Sequence, residues 1–258
     1  MAGVSTQSAA AQSAPPRALG SGEATVAQLD VWGAGANPAA GPTVGEDGGR
    51  RLAGQAYGLS LASPAPLTRL GADLSYARSS SRNRFGLGVQ HFTPPGYAIS
   101  AFRVGARRQL GPALYVGLRI GVLYGNYEEY GAELLPLAEG GLQYGLTRSL
   151  TVGAHYSYVR RDFVALAQNR LRVGLAYHSS PQVQWLAAAS QAVGEPLNAQ
   201  VGIAYAPAKR LRLSAGYQSV GQRVSFGTAY EIGTGLELGL AVVVYSRLPA
   251  GVSWGVEW

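Results

Sequence analysis

His155-Tyr156-Ser157 is a place where residue types and spacing could do chemistry in this 258-residue chain. Side chains alternate along an extended strand, so a histidine and a serine two apart share one face. Acyl transfer by a serine needs such a base within hydrogen-bond reach, and a further group to orient the base. No orienting partner follows, because Asp162 falls in the next loop. The pair also shares the face of Gly153, which the pattern turns toward an interior, whereas an enzyme acting on membrane lipid must face lipid. The chain is therefore read as not an enzyme, with a lipid hydrolase using His155 and Ser157 as a remote alternative. His91, His155 and His178 lie far apart in sequence, and there is no cysteine. No metal or other cofactor is expected from such spacing.

The other groups with chemical potential recur on alternate positions of apolar stretches. They are Arg119, Arg170, Arg172, His178, Gln200, Arg212, Gln218, Glu231, Glu237 and Glu257. With His155 they are expected to line a lumen, where they are solvated or pair with one another. The net charge of +7 comes almost wholly from arginine, Lys209 being the only lysine. These arginines are dispersed rather than clustered, which argues against a nucleic-acid partner.

The elements that position these groups read as an all-β, transmembrane antiparallel barrel. Charged residues make up 14% of the chain, against about 25% in soluble domains. Glycine (36) and tyrosine (15) are abundant. No apolar run is long enough for a membrane helix. Instead, segments of about ten residues alternate with turn chemistry, the length a tilted barrel strand needs. Leu114, Val116, Leu118, Ile120 and Val122 alternate with Gly117, Arg119 and Gly121; Leu236, Leu238, Leu240, Val242 and Val244 form the most apolar face. The pattern predicts strands over 51–62, 68–79, 82–92, 97–109, 113–127, 133–146, 149–159, 169–178, 181–192, 197–206, 209–219, 221–231, 235–245 and 249–258. That count is fourteen, with twelve as the alternative because Pro136 interrupts 133–146.

In the last predicted strand Val252, Trp254, Val256 and Trp258 share a face, and the chain stops on an aromatic residue. Trp254 and Trp258 are read as a C-terminal signal for barrel-assembly machinery. With both ends periplasmic, tight inner turns fall at 80–81, 110–112, 147–148, 179–180, 207–208 and 232–234. The long connections 125–132 and 160–168 then fall outside, the usual asymmetry of outer-membrane barrels. Tyr124, Tyr127, Tyr130, Tyr156 and Tyr158 lie near that rim, as girdle aromatics do. Glu128-Glu129 and Arg160-Arg161-Asp162-Phe163 are solvated loop tips or a partner epitope.

Residues 1–16 are rich in Ala, Ser, Gln and Pro and are read as disordered or as a residual leader. They hold no apolar core of a secretory signal, so the start is expected to be truncated or the signal removed. Residues 17–50 are too irregular for a spanning strand and precede the barrel of 51–258. Within them Leu29-Asp30-Val31-Trp32 leads to Asn37-Pro38-Ala39-Ala40-Gly41. This phrase resembles the N-terminal signature of the FadL-like outer-membrane barrels of Bacteroidota, the group that includes PorV and PorQ of type IX secretion. Ala40-Gly41-Pro42 departs from the Gly-Leu usual there. The resemblance implies that Asn37, Pro38 and Ala39 belong to a hatch folded into the lumen, with Asp30 and Trp32 on its approach.

What the resemblance implies is a non-enzymatic outer-membrane protein that admits hydrophobic molecules or serves as a type IX secretion component. The competing reading is a sealed structural or adhesin-like surface barrel. Expected partners are outer-membrane lipids, the assembly machinery, and a hydrophobic small molecule or secretion proteins. A monomer is expected.

Overall fold

The computed structural model describes residue 21 and residues 24–27, 37–40, 50–59, 70–79, 83–93, 97–127, 131–159, 169–233, 236–246 and 250–257. The strands are β1 (Arg50–Leu59), β2 (Leu70–Ser79), β3 (Asn83–Thr93), β4 (Tyr97–Gln109), β5 (Leu114–Tyr127), β6 (Gly131–Gly145) and β7 (Leu150–Val159). They continue with β8 (Arg170–His178), β9 (Val183–Ala192), β10 (Asn198–Ala208), β11 (Leu211–Gln218), β12 (Arg223–Ile232), β13 (Leu236–Tyr245) and β14 (Gly251–Glu257). Each pairs antiparallel with its neighbours in sequence, and β14 pairs back onto β1 from Leu59↔Gly251 to Ala53↔Glu257, closing a barrel. Closure removes the sheet edges, so every strand has a partner on both sides. No described helix is long and apolar enough to cross a membrane.

The alternation in the sequence becomes the two surfaces of the wall. Leu118, Ile120, Val122 and Tyr124 are exposed on β5, as are Phe85, Leu87 and Val89 on β3 and Leu171, Val173 and Leu175 on β8. Exposed apolar side chains at this density suit a wall solvated by lipid rather than water. The intervening positions point into the bore. Of the expected girdle, Tyr124, Tyr156 and Tyr158 are exposed on the outer surface. The side chains of Tyr127 and Tyr130 lie outside the described set, as do Glu128-Glu129 and the 160–163 loop.

Three details differ from the sequence expectation. The inner turn expected at 207–208 is displaced: β10 runs on to Ala208, and Lys209 and Arg210 make the turn. The β10–β11 register slips between Tyr205 and Ala208, so Pro207, which has no N–H to give a ladder, sits in a bulge. Pro136 does not interrupt β6. It pairs with Val122 of β5 one residue beyond Leu137↔Val159, where the β6–β7 ladder ends. Among the described residues β6 has one neighbour there instead of two, a place where proline is tolerated. The barrel also begins one residue earlier than expected, at Arg50.

Candidate functional site

Every described residue of the N-terminal segment is buried inside the barrel: Ser21, residues 24–27 and residues 37–40. Irregular backbone at membrane depth must find partners for its polar groups within the protein, and here it does. The Ala40 N–H donates to the Asn37 carbonyl at 2.9 Å, closing a turn with Pro38 at its second position. The Ala39 N–H donates to Asn37 Oδ1 at 2.9 Å. Proline presets the turn, and asparagine mimics one more backbone acceptor. Asn37 Nδ2 reaches further, donating to the Val26 carbonyl at 2.8 Å and to the Leu142 carbonyl of β6 at 3.2 Å. Gln143, fully buried, donates from Nε2 to the Ala27 carbonyl at 2.8 Å. Asn37 and Gln143 thus tie the segment to itself and to the wall.

The wall receives the segment on glycines. A Cβ added to Gly117 would overlap the backbone of Pro38 and Ala39, and one on Gly141 would overlap the Asn37 side chain. The same holds for Gly153 against the Val26 backbone and Gly202 against the Ser21 backbone. On Gly174 it would stand 2.9 Å from the Ala187 carbonyl oxygen of the neighbouring strand and 3.3 Å from Val26 Cβ. Gly117 pairs with Gly141 and Gly153 with Gly174, so the glycines form a cradle across β5 to β8. The absent side chains supply the space for the segment's backbone.

Next to the cradle lies a charged cluster. Glu139 on β6 pairs in register with Arg119 on β5, and their side chains form an ion pair. Arg103 Nε lies 3.9 Å from Glu139, and His155 Nε2 lies 3.8 Å from it. Arg103 also donates to Gln90 Oε1 at 3.0 Å. Arg170 reaches Glu195 at 3.6 Å. One rank further along the bore, on the side away from the cradle, Leu135, Leu137 and Val159 are buried together with Leu123 packed on them. These four point inward, so the bore carries an apolar patch beside its charges.

Of the expected site residues, Asn37, Pro38 and Ala39 meet the wall as described; Asp30, Trp32 and Trp258 lie outside the described residues. Arg119 and His155 come together around Glu139. Arg170 and Arg172 follow on β8, and Gln200 and Gln218 pair directly across β10 and β11, both buried. Arg212 and Glu237 keep the inward parity of β11 and β13. Glu237 is flanked in register by Glu231 and by Glu257, whose side chain lies outside the described set. His178 shares the inward parity but is the last residue of β8 and is exposed at the barrel end. Trp254 is exposed on the outer wall.

His155 and Ser157 do not form a hydrolytic pair. Both point into the bore, His155 facing Glu139 while Ser157 is 3.5 Å from the Arg170 carbonyl. Among the described residues no group of His, Asp and Glu is arranged to hold a metal.

Sequence reasoning missed Glu139, Gln143, Arg103 and the apolar patch. The doublet Leu134-Leu135 and the run Pro136-Leu137 put apolar residues on both faces of β6, hiding its parity. Extending the alternation back from Gln143 would have placed Glu139, Leu137 and Leu135 on one inward face.

No family model matches the chain, and no curated protein matches it. Solved structures do. The chain is similar to the Ralstonia pickettii toluene transporter TbuX, with 13% identity, 95% of this chain and 97% of that chain covered, and a TM-score of 0.72. The CymD monoaromatic hydrocarbon channel is 15% identical over 95% of this chain and 96% of that chain, with a TM-score of 0.72. The Pseudomonas putida toluene transporter TodX is 14% identical, covering 93% and 96%, with a TM-score of 0.67. At these identities what is shared is the fold.

Proposed function

We propose that this chain is a FadL-like outer-membrane channel for small hydrophobic molecules, with residues 17–48 acting as the hatch. The observation that carries the reading is the apolar patch of Leu123, Leu135, Leu137 and Val159 on the inward faces of β5, β6 and β7, next to the Glu139 charges. An apolar solute gains from contact with such a surface. The buried segment beyond the Glu139 cluster, tied by Asn37 and Gln143, is what a passing solute must displace or skirt. The similarity to hydrocarbon channels supports the same reading. Of the two roles the N-terminal phrase suggests, passage of hydrophobic molecules is the one this patch favours over a type IX secretion role. The outer wall contacts outer-membrane lipids, and the barrel works as a monomer inserted through recognition of its C-terminal strand.

The test is conductance in planar bilayers, with folding checked by heat-modifiable gel mobility. The full chain is silent, and deletion of residues 17–48 opens it. Silence of both the full chain and the deletion variant would favour the sealed surface barrel instead.

A further inference from the structure

On the outer wall, away from the bore, His91 of β3 and Ser100 of β4 are direct cross-strand partners. Their side chains point toward lipid, and His91 Nδ1 lies 2.9 Å from Ser100 Oγ. The other ring nitrogen, Nε2, lies 2.8 Å from Thr93 Oγ1. A neutral imidazole has one donor and one acceptor nitrogen. With Nε2–H donating to the threonine oxygen, Nδ1 is left to accept the serine proton. That is the relation of nucleophile, base and orienting group that acyl transfer needs, with an uncharged orienting group.

The height of the pair on the wall decides what it would meet. Three ranks of apolar outward residues lie on one side of it: Phe85 with Ala106, Leu87 with Val104, and Val89 with Phe102. On the other side β3 and β4 end at the connection over 94–96, at the barrel end that also carries the long 160–168 connection. The next strand along the same rank presents Tyr124, paired with Ser100 and exposed on the wall. An aromatic at the edge of an apolar band marks the membrane interface, and the acyl ester bonds of membrane lipids lie at that level.

The geometry points to Ser100 as a nucleophile toward the acyl esters of lipids beside the barrel, with His91 as its base and Thr93 as the residue that orients the ring. Ser100 Oγ forms a bond to the acyl carbon as its proton passes to His91 Nδ1. The ester C–O bond breaks and the leaving alcohol takes that proton. Water then attacks the acyl-serine, giving a proton to His91, and the free acid leaves as Ser100 recovers its proton. The sum is ester plus water to acid plus alcohol. This site is independent of the channel reading, since it uses none of the bore.

The experiment takes the full chain, refolded into phosphatidylcholine vesicles and checked for heat-modifiable mobility. An alkyl fluorophosphonate is added and the adduct is mapped by mass spectrometry, and fatty acid released from the vesicles is measured in parallel. The expected result is an adduct on Ser100 and acid release, both abolished in Ser100→Ala. His91→Gln slows labelling by about 100-fold or more, the usual worth of a positioned base, and Thr93→Val slows it less. All three side chains are on the outer wall, so the variants retain the barrel. An unlabelled wild-type Ser100, or labelling indifferent to His91→Gln, would overturn the proposal and leave an ordinary polar cross-strand pair. An adduct on Ser100 without acid release would overturn the assignment of lipid esters as substrate.

Discussion

The Asn37 carboxamide oxygen stands where a Cβ on Gly141 would be, while its nitrogen donates to the carbonyl of Leu142, the next residue of the same strand. One residue of the wall gives up its side chain, and its neighbour offers a backbone acceptor in the same place. The fit between the N-terminal segment and the barrel is therefore steric and polar at once, and each part can be broken separately.

Gly141→Val and Gly117→Val test the steric part. Overpacking costs about 1–3 kcal/mol, and it falls on docking of the segment rather than on the strands, whose backbone any residue can adopt. Hydrogen exchange over residues 24–27 and 37–40 should rise about tenfold or more while heat-modifiable mobility is kept. Gly111→Ala is the control, because a Cβ there meets nothing within 4 Å.

Asn37→Asp separates the polar part from shape. The carboxylate keeps an acceptor for the Ala39 N–H but loses the N–H groups that serve the Val26 and Leu142 carbonyls. Leaving buried groups unpaired costs about 1–3 kcal/mol or more. Protease access to the segment should increase in this isosteric variant as much as in Asn37→Ala. Equal protection in wild type and Asn37→Asp would remove the proposed tie.

Glu139→Gln leaves Arg103 and Arg119 without their shared carboxylate in a buried part of the bore. Breaking such a pair costs about 3–5 kcal/mol, read as a fall in the urea midpoint of barrel unfolding. Arg119→Gln added to Glu139→Gln should restore part of the loss, because the two residues form one ion pair. Additive losses would show that the cluster is not energetically coupled.

Leu118, at 70% exposure, is in the middle of the outward apolar face of β5. Leu118→Arg should cost about 2–4 kcal/mol, as arginine does at the bilayer midplane of barrels. Leu110→Arg, in the turn at the barrel end, should cost no more than about 1 kcal/mol. Equal effects at the two positions, measured by unfolding in lipid vesicles, would contradict a lipid-facing wall.

The strands were legible in the sequence because one face of each must suit lipid and the other must not, so a period of two survives along β3, β5, β8 and β13. Where that demand relaxes, reading failed. β6 carries Leu134 outside and Leu135 inside, since the bore there is apolar as well, and its inward Glu139 and Gln143 went unseen. The Asn37-Pro38 turn could be read locally, but not that Gly117, Gly141 and Gly153 are empty on its account. That relation joins residues about a hundred positions apart, as the Gln143–Ala27 bond does. His91 and Ser100 carried no motif either, because only the β3–β4 register brings them face to face.

The central claim is that the segment in the bore controls passage. The chain has no cysteine, and a Cβ on Gly174 would stand 3.3 Å from that of Val26, near the spacing of about 3.5–4.5 Å found across disulfides. The measurement is uptake of a radiolabelled small hydrophobic solute by cells displaying the Val26→Cys, Gly174→Cys double variant, oxidised and then reduced. The account predicts that oxidation stops uptake above background and that reduction restores it. Equal uptake in the two states, with the cross-link verified by mass spectrometry, would contradict it.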